Sequence, residues 1–341
     1  MSHDLVGIAK LASEAPLREA KKRVEYFELP TRTYINRCSG TNKPFDWTIN
    51  PYRGCEFGCK YCYARFTHEF MEFHDAEQFE RVIYAKNWNP SEFARELRNT
   101  PRGQPICIGT ATDPYQPAER RFFLTRQMLA VIAQERGHKI WVTTKSDLIA
   151  RDADILAYIA RRNEVHVSMT ITTADTALAR LVEPYAPRPD LRLKAITALN
   201  NAGIPVRTLA SPVMPLINDS EPALMHLAKS AKAAGARFFS GQPLFLKSCA
   251  QAMFFPFLEE HFPHLVRKYR DRYNEAAYLK GEYPKLIAER IAKIRKEVGF
   301  EINLPPAADV DWREPQLNLF DQTPDQTAES ASECLVKQSR L

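Results

Sequence analysis

No stretch of this chain is apolar for the roughly 20 residues that a membrane-crossing helix needs, and no secretory signal is expected from its first residues. Nor do the seven cysteines form a disulfide framework. Cys38, Cys107, Cys249 and Cys334 are scattered, and a chain of 341 residues can bury a large core without such staples. No partnership with a membrane is expected, and a reducing cytoplasm is the expected compartment. There is no internal repeat, which excludes solenoid architectures. Charge of one sign is not massed anywhere. A net charge of +6 permits a polyanionic partner without demanding one, because the basic runs at Lys21-Lys22-Arg23, Arg120-Arg121 and Arg161-Arg162 read as solvated helix faces.

What the chain does have is three cysteines within eight residues, Cys55, Cys59 and Cys62, in the run NPYRGCEFGCKYCYAR. Three thiolates are an incomplete set for a cubane of four irons, and the fourth iron keeps an open position for a small-molecule ligand. Two other readings stay open at this point. The cysteines are unrelated buried thiols, or they form a zinc site completed by His68 or His74, although neither histidine sits in a short paired spacing of the usual structural kind.

Beyond this loop, short β-branched runs alternate with amphipathic stretches, the pattern of parallel strands joined by crossover helices. Strands are predicted at 46–49, 105–109, 139–144, 164–170, 205–211 and 237–241, and helices at 90–98, 121–135, 152–162, 189–201 and 221–234. Six strand–helix units are too few for a closed eight-fold barrel. The expected fold is α/β: a partial (β/α)6 TIM-like barrel with loops at the C-terminal strand ends forming the site. It divides into an N-terminal extension at 1–30 with one amphipathic helix, a core barrel at 31–245, a helical extension at 246–304, and a tail at 305–341 whose composition predicts disorder.

The Cys-x-x-x-Cys-x-x-Cys spacing with Tyr61 before the last cysteine resembles the radical S-adenosylmethionine (SAM) superfamily. With the segment CIGTATDPYQPAE that starts at Cys107, the chain resembles the spore photoproduct lyase-like branch of that superfamily. The resemblance implies a [4Fe-4S] cluster on Cys55, Cys59 and Cys62, SAM chelating the unique iron, and one-electron cleavage to a 5′-deoxyadenosyl radical, fed by a donor such as flavodoxin or ferredoxin. It also implies that Tyr61, Gly109, Thr110, Thr112, Asp113, Lys145 and Ser168 contact SAM: Tyr61 near the adenine, the loop from Gly109 to Asp113 near the amino group, and Lys145 at the carboxylate. Ser168 faces the barrel interior if Val165 and Val167 face the helices. No catalytic residue is assigned; Tyr63 is the one candidate, with an aromatic wall for the cluster as its other reading. In the lyase proper a cysteine stands two residues before the position of Thr112 and donates the closing hydrogen. This chain has Thr110 there, so reversal of a thymine photodimer by that route is not expected. Cys107, three residues earlier, reads as a buried small hydrophobe.

The tail contains Gln316-Leu317-Asn318-Leu319-Phe320, which resembles the peptide by which bacterial replication and repair proteins bind the sliding clamp. Gln316, Leu317, Leu319 and Phe320 would be the anchors. The function expected is a lyase-like radical SAM enzyme acting on DNA or nucleotides in a DNA-repair-like reaction. The alternatives are action on RNA, a peptide or a small metabolite, or a non-catalytic cluster-containing DNA-binding or redox-sensing protein.

Overall fold

The computed structural model describes residues 5–21, 23–38 and 44–302. Strands in chain order are β1 (Leu17–Ala20), β2 (Glu25–Leu29), β3 (Ile35–Arg37), β4 (Trp47–Ile49), β5 (Tyr52–Arg53), β6 (Val82–Lys86), β7 (Pro105–Ile108), β8 (Lys139–Thr144), β9 (Glu164–Thr170), β10 (Val206–Val213) and β11 (Phe238–Pro243). The larger sheet has the order β11-β10-β9-β8-β7-β4-β3. Its strands from β4 through β11 run parallel, with β3 antiparallel on the outer edge. Among the described residues β3 and β11 do not pair, so the sheet is a partial barrel of six parallel strands, as the alternation predicted.

Alternation along the strands sorts the two faces. Ile106, Ile108, Ile140, Val142, Val165, Val167 and Met169 join the core beneath the crossover helices. The intervening Cys107, Trp141, Thr143, His166 and Ser168 therefore face the barrel interior. Cys107 is buried, as expected, but its Sγ lies 3.8 Å from Thr143 Oγ1, so it is an interior-facing thiol and not part of the apolar layer.

Local chemistry explains the helix starts. Asn89 accepts from the amides of Ser91 and Glu92 ahead of the helix Pro90–Asn99, and Ser220 accepts from Ala223 N ahead of Glu221–Ala233. Each such cap is worth about 1 kcal/mol. The single helix expected at 121–135 is two, Glu119–Phe122 and Leu124–Ile132, broken where Phe123 takes a left-handed φ of 53°. The buried Glu119 carboxylate holds this break by accepting from Thr125 N at 2.9 Å and Arg126 N at 3.1 Å.

The N-terminal region differs most from expectation. Besides the helix Gly7–Ser13 it contributes β1 and β2 to a second sheet, ordered β1-β2-β6-β5. Two of the strands, β5 and β6, bracket the cysteine loop, so a separate small sheet supports the start and the return of that loop.

The helices Ser248–His261 and Val266–Tyr273 supply Phe254, Phe257, Leu258, Tyr269 and Tyr273 to one apolar cluster with Cys55, Phe57, Cys59 and Tyr61. The helical extension and the cysteine loop thus share a core.

Candidate active site

The cysteine loop follows β4 and β5, at the C-terminal end of the first barrel strand. Its backbone is held from several directions. Cys55 N donates to Phe79 O at 2.9 Å, Lys60 N to Val182 O at 3.0 Å, and Tyr185 N to Phe57 O at 3.2 Å. Arg65, paired with Glu80 at 2.6 Å, donates to Cys59 O. Gly54 has φ of 78°, and a Cβ there would stand 2.8 Å from the carbonyl oxygens of Phe79 and Val82, so only glycine allows this turn.

The loop after β7 sits beneath it. Gly109 has φ of 92°, and a Cβ would meet Pro114 Cδ and Thr143 O at 2.5 Å. Asn50 Oδ1 accepts from Thr110 N and Ala111 N at 3.0 and 2.9 Å. Thr112 Oγ1 and Gln116 Nε2 donate to Gly54 O at 2.6 and 3.0 Å. Thr112 therefore ties the two loops together. Asp113 accepts from Thr144 Oγ1 and Lys145 N, both at 2.7 Å, and so locks this loop to the end of β8. Burial raises its carboxyl pKa against the pull of those hydrogen bonds.

Lys145 emerges where β8 ends. Its ammonium lies 5.7 Å from the Tyr61 ring centroid and has no hydrogen-bond or ion-pair acceptor among the described residues. Burial opposes its charge, but Cys59, Glu183 and Asp113 hold its pKa above the ordinary value. Tyr61 is buried with its hydroxyl on Glu183 and Thr172, and Glu183 pairs with Arg192 at 2.5 Å. Tyr63 is 41 % exposed and donates to Thr110 O. Ser168 lies on the inner face, in register with Thr143 on β8 and Arg207 on β10.

The three thiols are not in disulfides. Burial raises all three pKa values, Cys59 to about 12, so thiolate at this loop calls for a bound cation. Among the described residues no three Cys, His, Asp or Glu side chains converge on one metal ion. His68 Nε2 contacts Val82 O, and His74 is exposed and beside Glu72, so neither histidine is placed to complete a closed zinc site. A cubane makes a different demand, since each cysteine ligates its own iron. Three clustered soft donors beside an unpartnered ammonium fit a cluster carrying a carboxylate-bearing ligand.

Several site residues escaped the sequence reading. Asn50 precedes the cysteines by five positions with no local signature for its role. Glu183 and Arg192 act on Tyr61 from far along the chain. Phe66, Phe245, Lys247 and Tyr278, which form the outer rim, come from three separate segments.

Residues 49–228 match the radical SAM superfamily. The chain is 32% identical over 273 residues to the uncharacterized protein Rv2578c of Mycobacterium tuberculosis, covering 80% of each. It is 28% identical over 203 residues to the uncharacterized protein MJ0683 of Methanocaldococcus jannaschii, covering 60% of this chain and 69% of that one. The fold is similar to that of spore photoproduct lyase in complex with dinucleoside spore photoproduct, with a TM-score of 0.57 at 13% identity over 80% of this chain and 79% of the other. The chain belongs to the radical SAM superfamily. Membership implies an enzyme with an iron–sulfur cluster and SAM, and among the described residues no helix is long and apolar enough to cross a membrane.

Proposed function

We propose that this protein is a cytoplasmic, lyase-like radical SAM enzyme acting on DNA or a nucleotide in a repair-like reaction. The observation that carries this reading is an aromatic rim beside the cysteine loop. Phe70, Phe66, Tyr63, Phe245 and Tyr278 form a continuous series with ring centroids 4.2 to 6.5 Å apart. Phe70 and Tyr278 are 60% and 67% exposed, and Lys247 Nζ sits 4.1 Å from the Phe66 centroid. Exposed rings interleaved with a cation suit unstacked bases and their phosphates, at about 1–3 kcal/mol per stacked base. Support also comes from the lyase that shares the fold, which is described with bound AdoMet and a dinucleoside spore photoproduct.

When bound to Cys55, Cys59 and Cys62, the [4Fe-4S] cluster and SAM supply a 5′-deoxyadenosyl radical, with electrons from flavodoxin or ferredoxin. Lys145 binds the SAM carboxylate. Gly109, Thr110 and Asp113 shape the pocket for the amino end, Tyr61 stands by the adenine, and Ser168 lines the interior. Thr112 keeps the two loops in register. Tyr63, the central ring of the rim with its hydroxyl on Thr110 O, stands where the substrate passes from the outer rings toward the cysteine loop. The peptide Gln316, Leu317, Leu319 and Phe320 lies outside the described residues; as a sliding-clamp ligand it would deliver the enzyme to DNA by tethering.

The test is anaerobic reconstitution followed by turnover with perdeuterated UV-damaged and undamaged DNA, reading deuterium in 5′-deoxyadenosine. Transfer from DNA, weakened in Phe66→Ala and Tyr278→Ala, is the expected result. Cofactor cleavage without transfer from either DNA would defeat the nucleic-acid reading and leave the superfamily assignment intact.

A further inference from the structure

We propose that the cavity between the helix Gly7–Ser13 and the outer face of the small sheet is a binding site for a phosphate group, separate from the cysteine loop and independent of which substrate the barrel takes. The cavity has a volume of about 570 Å³ and is lined by Arg53, Lys86, Lys10, Arg32 and Asn36, with Glu14 as its one acidic group. A space of that size accommodates a nucleotide.

The charge arrangement carries the argument. Arg53 on β5 pairs with Tyr84 on β6, so Lys86, two residues along, projects from the same face. Lys86 is 7 % exposed, and its Nζ makes one long contact, 3.5 Å to Thr33 O. Arg53 lines the same cavity and has no hydrogen-bond or ion-pair partner among the described residues. Burial, then the neighbouring Arg53, brings Lys86 down to about 8, with Glu96 as the one opposing charge. Glu96 is already occupied, accepting from the amides of Tyr34 and Ile35 at 2.8 and 2.9 Å. Glu14 stands at the rim, 3.9 Å from Lys10, both largely exposed.

Among the described residues the two guanidiniums that are buried outright each face a carboxylate. Arg65 has Glu80 at 2.6 Å and Arg192 has Glu183 at 2.5 Å. A buried charge is retained when it is paired, and two neighbouring cations without a carboxylate repel each other as well. The missing countercharge is what a ligand would bring. A phosphate suits the set better than a single carboxylate: it carries up to two negative charges and offers several oxygens, to Arg53's planar fork, to the Lys86 ammonium and to the Asn36 amide.

The experiment uses the full-length reconstituted protein and isothermal calorimetry with three probes: inorganic phosphate, thymidine 5′-monophosphate and a short oligothymidylate. Each is titrated into the wild type, Lys86→Met and Arg53→Gln. Affinity should fall about tenfold or more in both variants, the loss expected for one charge-assisted bond, while SAM affinity stays at the wild-type value. Loss for all three probes identifies the free phosphate group as the ligand; loss for the oligonucleotide alone identifies a strand backbone as its source. Should Arg53→Gln fail to fold, Lys86→Met still decides the matter, because it removes a buried charge and keeps the packing. Failure of all three probes to bind the wild type, or equal binding to wild type and Lys86→Met, overturns the proposal.

Discussion

Breaking the Glu183–Arg192 pair should loosen the cysteine loop, and the structure sets the size of the effect. Both side chains are 1 % exposed, with Arg192 Nη2 2.5 Å from Glu183 Oε2. Arg192 also donates to Pro187 O at 2.8 Å and Thr170 O at 3.1 Å, and Glu183 accepts from Thr172 Oγ1 at 2.6 Å and from Tyr61. Glu183→Gln keeps the shape and an acceptor for Thr172 but leaves a guanidinium buried without countercharge, a loss of about 3–5 kcal/mol. The flanking Val182 and Tyr185 are hydrogen-bonded to Lys60 and Phe57 inside the loop, so iron per chain should fall in parallel. The double variant Glu183→Gln/Arg192→Met removes the stranded charge and should recover most of the stability, because replacing both partners of a buried pair is far cheaper than breaking it. There is a pH consequence. Burial works against the Glu183 carboxylate, but Arg192 and then Lys145 outweigh it, so its folded pKa lies below the ordinary 4.5. Its contribution is therefore full above pH 4.5 and lost as pH falls through the folded value. Urea unfolding followed by tryptophan fluorescence, beside iron and sulfide analysis, measures both effects. A loss under about 1 kcal/mol in Glu183→Gln, or a double variant no more stable than the single, would refute the reasoning.

Two further outcomes are expected. Lys145→Met should weaken SAM binding by about 1.5–3 kcal/mol with iron content unchanged, since its ammonium makes no ion pair among the described residues; equilibrium dialysis on the reconstituted enzyme checks this, and unchanged affinity removes Lys145 from the pocket. Gly109→Ala should destabilise the protein by roughly 2–3 kcal/mol, combining left-handed strain with a 2.5 Å approach to Pro114 Cδ and Thr143 O; a urea midpoint equal to wild type would contradict that geometry.

The barrel was legible where sequence-local rules act. β8 and β9 occupy the expected 139–144 and 164–170, and the helix Pro189–Asn201 matches its predicted span. Strict alternation marked the two strands, and Pro189 at its first position marked the helix. The small sheet was not legible. β1 reads Leu-Arg-Glu-Ala and β5 has two residues, so their pairing depends on partners elsewhere in the chain. β6, Val-Ile-Tyr-Ala-Lys, did carry a β-branched and aromatic signal. The break at Phe123 has no glycine or proline to announce it, because the distant Tyr52 and the buried Glu119 make it. The same division holds in the site. Cysteine spacing and the lysine at a strand end are local, whereas the Glu183–Arg192 support and the aromatic rim are assembled by the fold.

That assembly constrains how a substrate approaches. The helical extension could have been a detachable cover, but Phe254, Phe257, Leu258 and Tyr269 are all at most 3 % exposed and pack in one cluster with Cys55, Cys59 and Tyr61. Separating such a helix would expose several large side chains at about 1.5–3 kcal/mol each, more than routine opening can supply. The helices therefore close that flank permanently and leave the series from Phe70 to Tyr278 as an exposed approach beside the cysteine loop. A rim that stays open suits a substrate too large to be engulfed, from which one unit is drawn in past Tyr63. A small metabolite would gain more from enclosure. The exposed, cation-flanked aromatic edge is thus the physical reason to test a polymer before a free nucleotide.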